Sequence, residues 1–233
     1  SKLIVYSCIT SGYDTAHEAL LRGEAQQQEE DIRYILFSDT LQPCSMSTDG
    51  MTWEVRKVSW SHSLCPRRTA RYHKCLPHVV LPPHQKSLWV DGNFVFKNVN
   101  PLTDIVNVYL RDGFDMATFK HSDRQCAYQE EHACLKFRKD QSHILREQLS
   151  KYRDEGYPTY NGLAETGCLI RNNNDIIQEF NNAWWAEIES HSFRDQISFP
   201  YVCWKLGVRY SHIGEDIWRS QFFQPISRSK RHG

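Results

Sequence analysis

Ser87-Leu88-Trp89-Val90 is a short, mostly apolar run that stops abruptly on Asp91-Gly92-Asn93. A run of this kind reads as a strand buried on both faces, the pattern of a parallel sheet. Open α/β sheets bind ligands in the crevice outside the carboxyl ends of such strands. The sequence therefore marks Asp91 as an oxygen ligand on a sheet edge. The plainer reading is an ordinary turn, since Asp-Gly and Gly-Asn are common turn dipeptides.

Other segments fit the same architecture. Leu3 to Thr10 is a near-continuous apolar run, followed by a turn at Ser11-Gly12-Tyr13-Asp14 and a short helical stretch around Ala16 to Leu21. Ile32 to Asp39 repeats the design as a second strand ending on an acid. After a polar connection, Trp53 to Val58 alternates like an exposed or edge strand. Pro66 suits the first turn of a helix reaching about Leu76, and Ile105 to Leu110 fits either a strand or a helix. Ser122 is placed to cap a helix through about Phe137, Ser142 to Tyr152 reads as another, and a third with a buried face starts at Asp175. The expected fold class is α/β: a Rossmann-type mixed sheet flanked by helices, in a single domain over residues 1–226, with a disordered basic tail at 227–233.

Composition narrows the function classes. With 233 residues, 28 basic and 28 acidic, the chain is long enough for one large core and carries no net charge. Nothing points to nucleic acid or to a generic membrane surface. No apolar run approaches the roughly 20 residues of a membrane span, so no transmembrane segment is expected, and Ser1-Lys2-Leu3 leads straight into a strand without a signal peptide. The eight cysteines lack any Cys-x-x-Cys pair, which excludes zinc-ribbon spacing. Reduced thiols and a cytoplasmic setting are the expectation, with a secretory-pathway lumen as the alternative if an upstream anchor has been removed.

Arg67, Arg71 and Lys74 fall at i, i+4 and i+7, so three cations share one helix face. Like charges there repel, and a bound anion relieves them. The face lies shortly before the Asp91 strand end, where a nucleotide diphosphate would sit, and Arg suits bidentate phosphate contacts. The alternative is a solvated basic face. A metal at Asp91 needs further ligands, and His212 is the candidate. Ser192 and Asp195 have the spacing of a capping box, while Asp195 and Gln196 also suit holding sugar hydroxyls at a helix start. Glu165 stands between Gly162 and Gly167, on a segment able to approach a ligand, where a carboxylate can act as a base.

Taken in order, Thr10-Ser11-Gly12-Tyr13-Asp14, the Arg67/Arg68/Arg71/Lys74 helix leading to Leu76-Pro77-His78, Trp89-Val90-Asp91-Gly92-Asn93, His121-x-Asp123-Arg124 and Arg194-Asp195-Gln196 resemble a plant and bacterial glycosyltransferase-like domain family, formerly of unknown function, whose plant members are linked to seed mucilage. The similarity covers nearly the whole chain. That family looks like a GT-A glycosyltransferase, distantly similar to the glycogenin and galactinol synthase group. The resemblance implies a nucleotide-sugar donor, a UDP-sugar first, a glycan or glycolipid acceptor, and Mn²⁺ or Mg²⁺. It would place Thr10, Gly12, Tyr13, Asp14 and Asp39 on the nucleoside, Asp91 on the metal, and Asp195 and Gln196 at the transferred sugar; the reading of the residues adds Arg67, Arg71 and Lys74 for the diphosphate, Asn93 and His212 for the metal, and Glu165 as a base or acceptor-binding group. The chain departs from the GT-A pattern in having no Asp-x-Asp, because Asn93 replaces the second acid. Two alternatives stay open: a metal-dependent hydrolase using Asp91, His212 and Glu165, and a non-catalytic nucleotide- or carbohydrate-binding module.

Overall fold

Seven consecutive buried residues form β1 (Leu3–Ile9). In a strand, side chains alternate between faces, and here Ile4, Tyr6 and Cys8 enter one core layer while Leu3, Val5 and Ile9 enter another. The central sheet must therefore be covered on both sides. The computed structural model describes residues 1–11, 29, 31–48, 51–97 and 101–225; the expected Gly12–Asp14 turn, the Ala16–Leu21 helix and the basic tail lie outside them.

In chain order β1 is followed by β2 (Ile32–Ser38), β3 (Cys44–Thr48), β4 (Met51–Lys57), α1 (Pro66–Cys75), α2 (Pro77–Val80), β5 (Lys86–Val90), β6 (Phe94–Phe96) and α3 (Leu102–Tyr109). Then come β7 (Met116–Lys120), α4 (Ala127–Lys136), α5 (Ser142–Asp154), β8 (Ala164–Asn172), α6 (Asp175–Ser190), α7 (Asp195–Leu206), β9 (Ser211–His212), a 3-10 turn at Ile217–Arg219 and β10 (Phe223–Pro225). The main sheet has eight strands in the order β3-β4-β2-β1-β5-β8-β7-β9. β4, β2, β1 and β5 run parallel, β8 is antiparallel to both β5 and β7, and β9 is parallel to β7. The expected mixed α/β sheet flanked by helices is the fold observed.

The two faces are covered differently. Helices α1 and α4 to α7 bury Cys75, Cys134, Leu145, Trp184 and Phe199 on the Tyr6 side. On the Val5 side, α3 and the β6–β10 ribbon supply Leu102, Val106, Phe94, Phe96 and Phe223. All eight cysteines are free thiols, and Cys8, Cys75, Cys126, Cys134, Cys168 and Cys203 are buried.

The Ile105–Leu110 segment, open between strand and helix in the sequence, is helical through Tyr109 with Leu110 as the C-cap of α3. Two local expectations need correction. Trp53 to Val58 is no edge: β4 lies between β2 and β3, and the polar connection before it holds β3. Ser122 and Ser192 cap nothing: α4 starts at Ala127 after Cys126, and α7 starts at Asp195 after Arg194, neither with a side-chain cap. Ser192 Oγ instead donates to Asp140 Oδ2 at 2.6 Å. Asn174, by contrast, caps α6 by accepting from the Ile177 amide.

Arg171 of β8 fixes the end of α1. Its side chain is fully buried, and it donates to the Lys74 and Cys75 carbonyls, to Tyr6 Oη and to Asn181 Oδ1 at 2.5–3.4 Å. A cation at a helix C-terminus meets both the unsatisfied carbonyls and the negative end of the dipole. Replacement by methionine removes these donors and leaves the Lys74 carbonyl only the Tyr6 hydroxyl, so Arg171→Met is expected to cost about 3 kcal/mol or more of stability, read as a lower urea midpoint.

Candidate active site

The parallel strands bring several polar residues to one edge. Thr10, Asp39, Asp91 and His121 follow β1, β2, β5 and β7, and antiparallel β8 begins there with Ala164, Glu165 and Thr166. The Asp91 amide donates to the Gly167 carbonyl at 2.7 Å, which stitches the end of β5 to the start of β8. Gly167 is constrained by this junction: a Cβ there would lie 3.1 Å from both Ile217 Cδ1 and Phe94 Cε2.

Lys74 organises the centre. Although it belongs to the last turn of α1, its buried Nζ reaches across the edge and donates to Asp195 Oδ2 at 2.6 Å, Thr166 Oγ1 at 3.2 Å and Asp91 Oδ1 at 3.3 Å. Thr166 Oγ1 also donates to Asp195 Oδ2, and Arg71 Nε lies 3.2 Å from Asp195 Oδ1. Burial alone would raise the Asp195 pKa, but Arg71 and Lys74, with the Lys74 hydrogen bond, hold this carboxyl well below the usual range. The Trp89 indole donates to Asp91 Oδ1 at 2.6 Å.

Glu165 has the opposite balance. Burial, then the negative charges of Asp91 and Asp195, push its pKa up to about 7, against the pull of Lys74. Gln196 Nε2 donates to its Oε1 at 2.5 Å, and His121 Nε2 lies 3.7 Å from its Oε2. Burial and then Arg124 lower the His121 pKa below its ordinary value. A carboxyl that titrates near neutrality can accept or release a proton at physiological pH, the property required of a general acid or base.

The expected diphosphate face divides. Arg71 and Lys74 are turned to Asp195, while the Arg67 guanidinium sits 5.1 Å from the Phe193 ring centroid. Arg68 caps α6 instead, donating to the carbonyls of Ile188 and His191. Thr10 Oγ1 donates to the Pro66 carbonyl at 2.9 Å, tying β1 to the start of α1. Asp39 accepts from the Ser11 amide and hydroxyl. Arg194 pairs with buried Glu130, which Arg124 also binds.

For a divalent ion the residues give a partial fit. Asp91 Oδ1 is engaged by Trp89 and Lys74, which leaves Oδ2 to ligate. Asn93 is in the turn after β5, and His212 is on β9, paired with Thr118 of β7. No group of three or more His, Cys, Asp or Glu side chains converges as a metal site among the described residues. Of the three expected ligands only Asp91 supplies a carboxylate, and β8 and β7 lie between its strand and the β9 strand that carries His212.

Sequence reasoning missed Thr166, Trp89 as a donor to Asp91, and Arg171. Trp89 was findable, because residues two apart on a strand face the same side. Arg171 carried a signal too: a charge directly after the apolar run Cys168-Leu169-Ile170 demands buried partners.

The family model described as TOD1/MUCI70, glycosyltransferase-like domain, matches residues 1–232. A probable hexosyltransferase MUCI70 of Arabidopsis thaliana is 27% identical over 151 residues, covering 61% of this chain and 26% of the relative. An alkaline ceramidase TOD1 of Arabidopsis thaliana is 26% identical over 163 residues, covering 64% of this chain and 35% of the relative. The matches thus span 26% and 35% of these relatives' own lengths. Among solved structures, the glycosyltransferase GlyE of Streptococcus pneumoniae TIGR4 aligns with 91% of this chain and 45% of that one, at 17% identity and a TM-score of 0.45. Its apo form aligns with 91% and 44%, at 15% identity and a TM-score of 0.47.

Neutralising Asp195 would leave Lys74 and Arg71 buried without their shared counter-ion. Asp195→Asn is expected to cost about 3–5 kcal/mol at pH 7 by urea denaturation. Because the folded pKa is depressed, this stabilisation is complete above the unfolded value of about 4 and is lost as pH falls further. The gap between wild type and variant is expected to narrow below that pH.

Proposed function

Because the chain belongs to the TOD1/MUCI70 glycosyltransferase-like domain family, we propose that it transfers a sugar from a nucleotide-diphosphate sugar, UDP-linked in the first instance, to a hydroxyl of a glycan or glycolipid. The observation that carries this reading is the placement of Glu165, with a pKa of about 7, on the same sheet edge as Asp91 and the Lys74–Asp195 pair. A transferase needs a group for the acceptor proton and fixed charge for the departing diphosphate. Both features are present at this edge.

In the proposed reaction the acceptor oxygen forms a bond to the anomeric carbon, the bond from that carbon to the phosphate oxygen breaks, and the diphosphate leaves with the electron pair. Glu165 takes the acceptor hydroxyl's proton. Gln196, bonded to Glu165 Oε1, orients that carboxylate and contacts the transferred sugar. Asp91, Asn93 and His212 would hold Mn²⁺ or Mg²⁺, which when bound neutralises charge on the diphosphate. Thr10, Asp39 and the Gly12–Asp14 segment serve the nucleoside, and Arg67 together with the Arg71–Lys74 face lends positive charge nearby.

The alkaline ceramidase among the relatives keeps a hydrolase in view, since a carboxylate near neutrality also activates water. Incubation with UDP-sugars and with a short-chain ceramide separates the two. Fatty-acid release without sugar transfer would favour hydrolysis.

Asp91→Ala is expected to abolish donor turnover while the protein stays folded, because Lys74 keeps Asp195 as its closer partner. Full activity in that variant would rule out the Asp91 role. Chelation with EDTA followed by Mn²⁺ addition reports the metal separately. Glu165→Gln is expected to lower kcat by about 10²–10⁴. In wild type, a base must be deprotonated to act, so kcat/KM is expected to rise with pH through about 7 and to lose that limb in Glu165→Gln.

A further inference from the structure

A cavity of about 550 Å³ opens beside this edge, between α4 and the loop carrying Thr159 and Tyr160. Its wall includes Arg124, Tyr128, His132, Lys136, Phe137 and Tyr160. Arg124 belongs to the edge as well: its Nη2 lies 2.8 Å from His121 Nε2, and that nitrogen lies 3.7 Å from Glu165 Oε2. Arg124 in the cavity wall is thus linked through His121 to Glu165, the group assigned to take the acceptor proton.

The lining combines ring faces with polar groups. Tyr160 is 69% exposed and Phe137 57% exposed, a large aromatic surface left to solvent. Tyr160 also holds a φ of 57°, in the left-handed region that non-glycine residues seldom occupy. Backbone of that kind persists where its surroundings fix it, often at ligand clamps. Lys136 and Lys139 place their ammonium groups 5.5 and 5.9 Å from the Phe137 ring centroid. Sugars present an apolar C–H face and a polar rim, and aromatic rings beside hydrogen-bond donors match both. An acyl chain has no use for His132, Lys136 or Arg124.

We propose that this cavity binds a carbohydrate chain, the acceptor of the transfer, with Tyr160 and Phe137 against its ring faces and Lys136 and His132 on its hydroxyl or carboxylate groups. The assignment as acceptor rests on the transferase reading above; the binding of a carbohydrate there does not. Titration calorimetry of the purified chain with cellohexaose and with a mannuronate hexamer tests it, beside UDP binding and the thermal melt. One hexasaccharide or both are expected to bind, and Tyr160→Ala and Phe137→Ala to weaken that binding at least tenfold with the melt and UDP affinity unchanged. A further loss in Lys136→Ala confined to the mannuronate would support the charged contact. Oligosaccharide binding untouched by both aromatic variants would overturn the assignment, as would binding of UDP with neither hexasaccharide, or Tyr160-dependent uptake of a short-chain ceramide in their place. Tyr160-dependent sugar binding in a chain that binds no UDP would uphold the cavity and reject the transferase reading.

Discussion

The ammonium of Lys74 is fully buried, and such a charge is tolerated only when opposite charge and hydrogen bonds replace the water it has lost. Here the replacements come from separate parts of the chain: Asp91 after β5, Thr166 in β8 and Asp195 at the start of α7. The candidate site is therefore assembled by the same contacts that satisfy the charge. Helix α1, two strands and α7 must all be docked before Lys74 is compensated, which couples the geometry of the edge to the packing of the core.

The position of Lys74 depends in turn on how α1 is anchored. Thr10 fastens the first residue of the helix, and Arg171 and Tyr6 fasten its last carbonyls. The oxygens around Arg171 are carbonyl, hydroxyl and amide oxygens, so its charge is offset by helix dipole and hydrogen bonding in place of a carboxylate. The electrostatics of Glu165 reflect this arrangement. Burial first, and then the charge of the two aspartates to which Lys74 is committed, keeps a proton on that carboxyl up to about pH 7.

Much of the framework was legible from local pattern. The apolar runs of β1 and β2, Pro66 at the start of α1, and the helical spacing after Asp175 each state their structure within a few residues. Asp91 was legible because the first polar residue past the end of a buried parallel strand faces the crevice. The failures share a cause. β3 has no apolar alternation, and pairing with β4 decides its conformation. The glycines on either side of Glu165 gave no strand pattern, yet Glu165 pairs with Phe119 in the sheet. Arg71 and Lys74 were correctly placed on one face, but their partner lies more than a hundred residues downstream, and no spacing rule reaches that far. Ser192 has the capping spacing, but Asp140 captures its hydroxyl.

Asp91 and Asp195 both contact Lys74, and exposure separates what each can do. The Asp195 side chain is 4% exposed and the Asp91 side chain 28%. Asp195 has Lys74 and Thr166 on one oxygen and Arg71 beside the other, so it is committed to holding the cations in place. Asp91 shares one oxygen between Trp89 and Lys74 and can turn the other outward. Removing the second acid of an Asp-x-Asp pair also lowers the negative charge that a diphosphate must approach, and the nearby ammonium lowers it further. On the proposed transferase reading, a site of this composition would depend less on a divalent ion for its anionic leaving group than a paired-carboxylate site, because part of the positive charge is already covalently attached to α1.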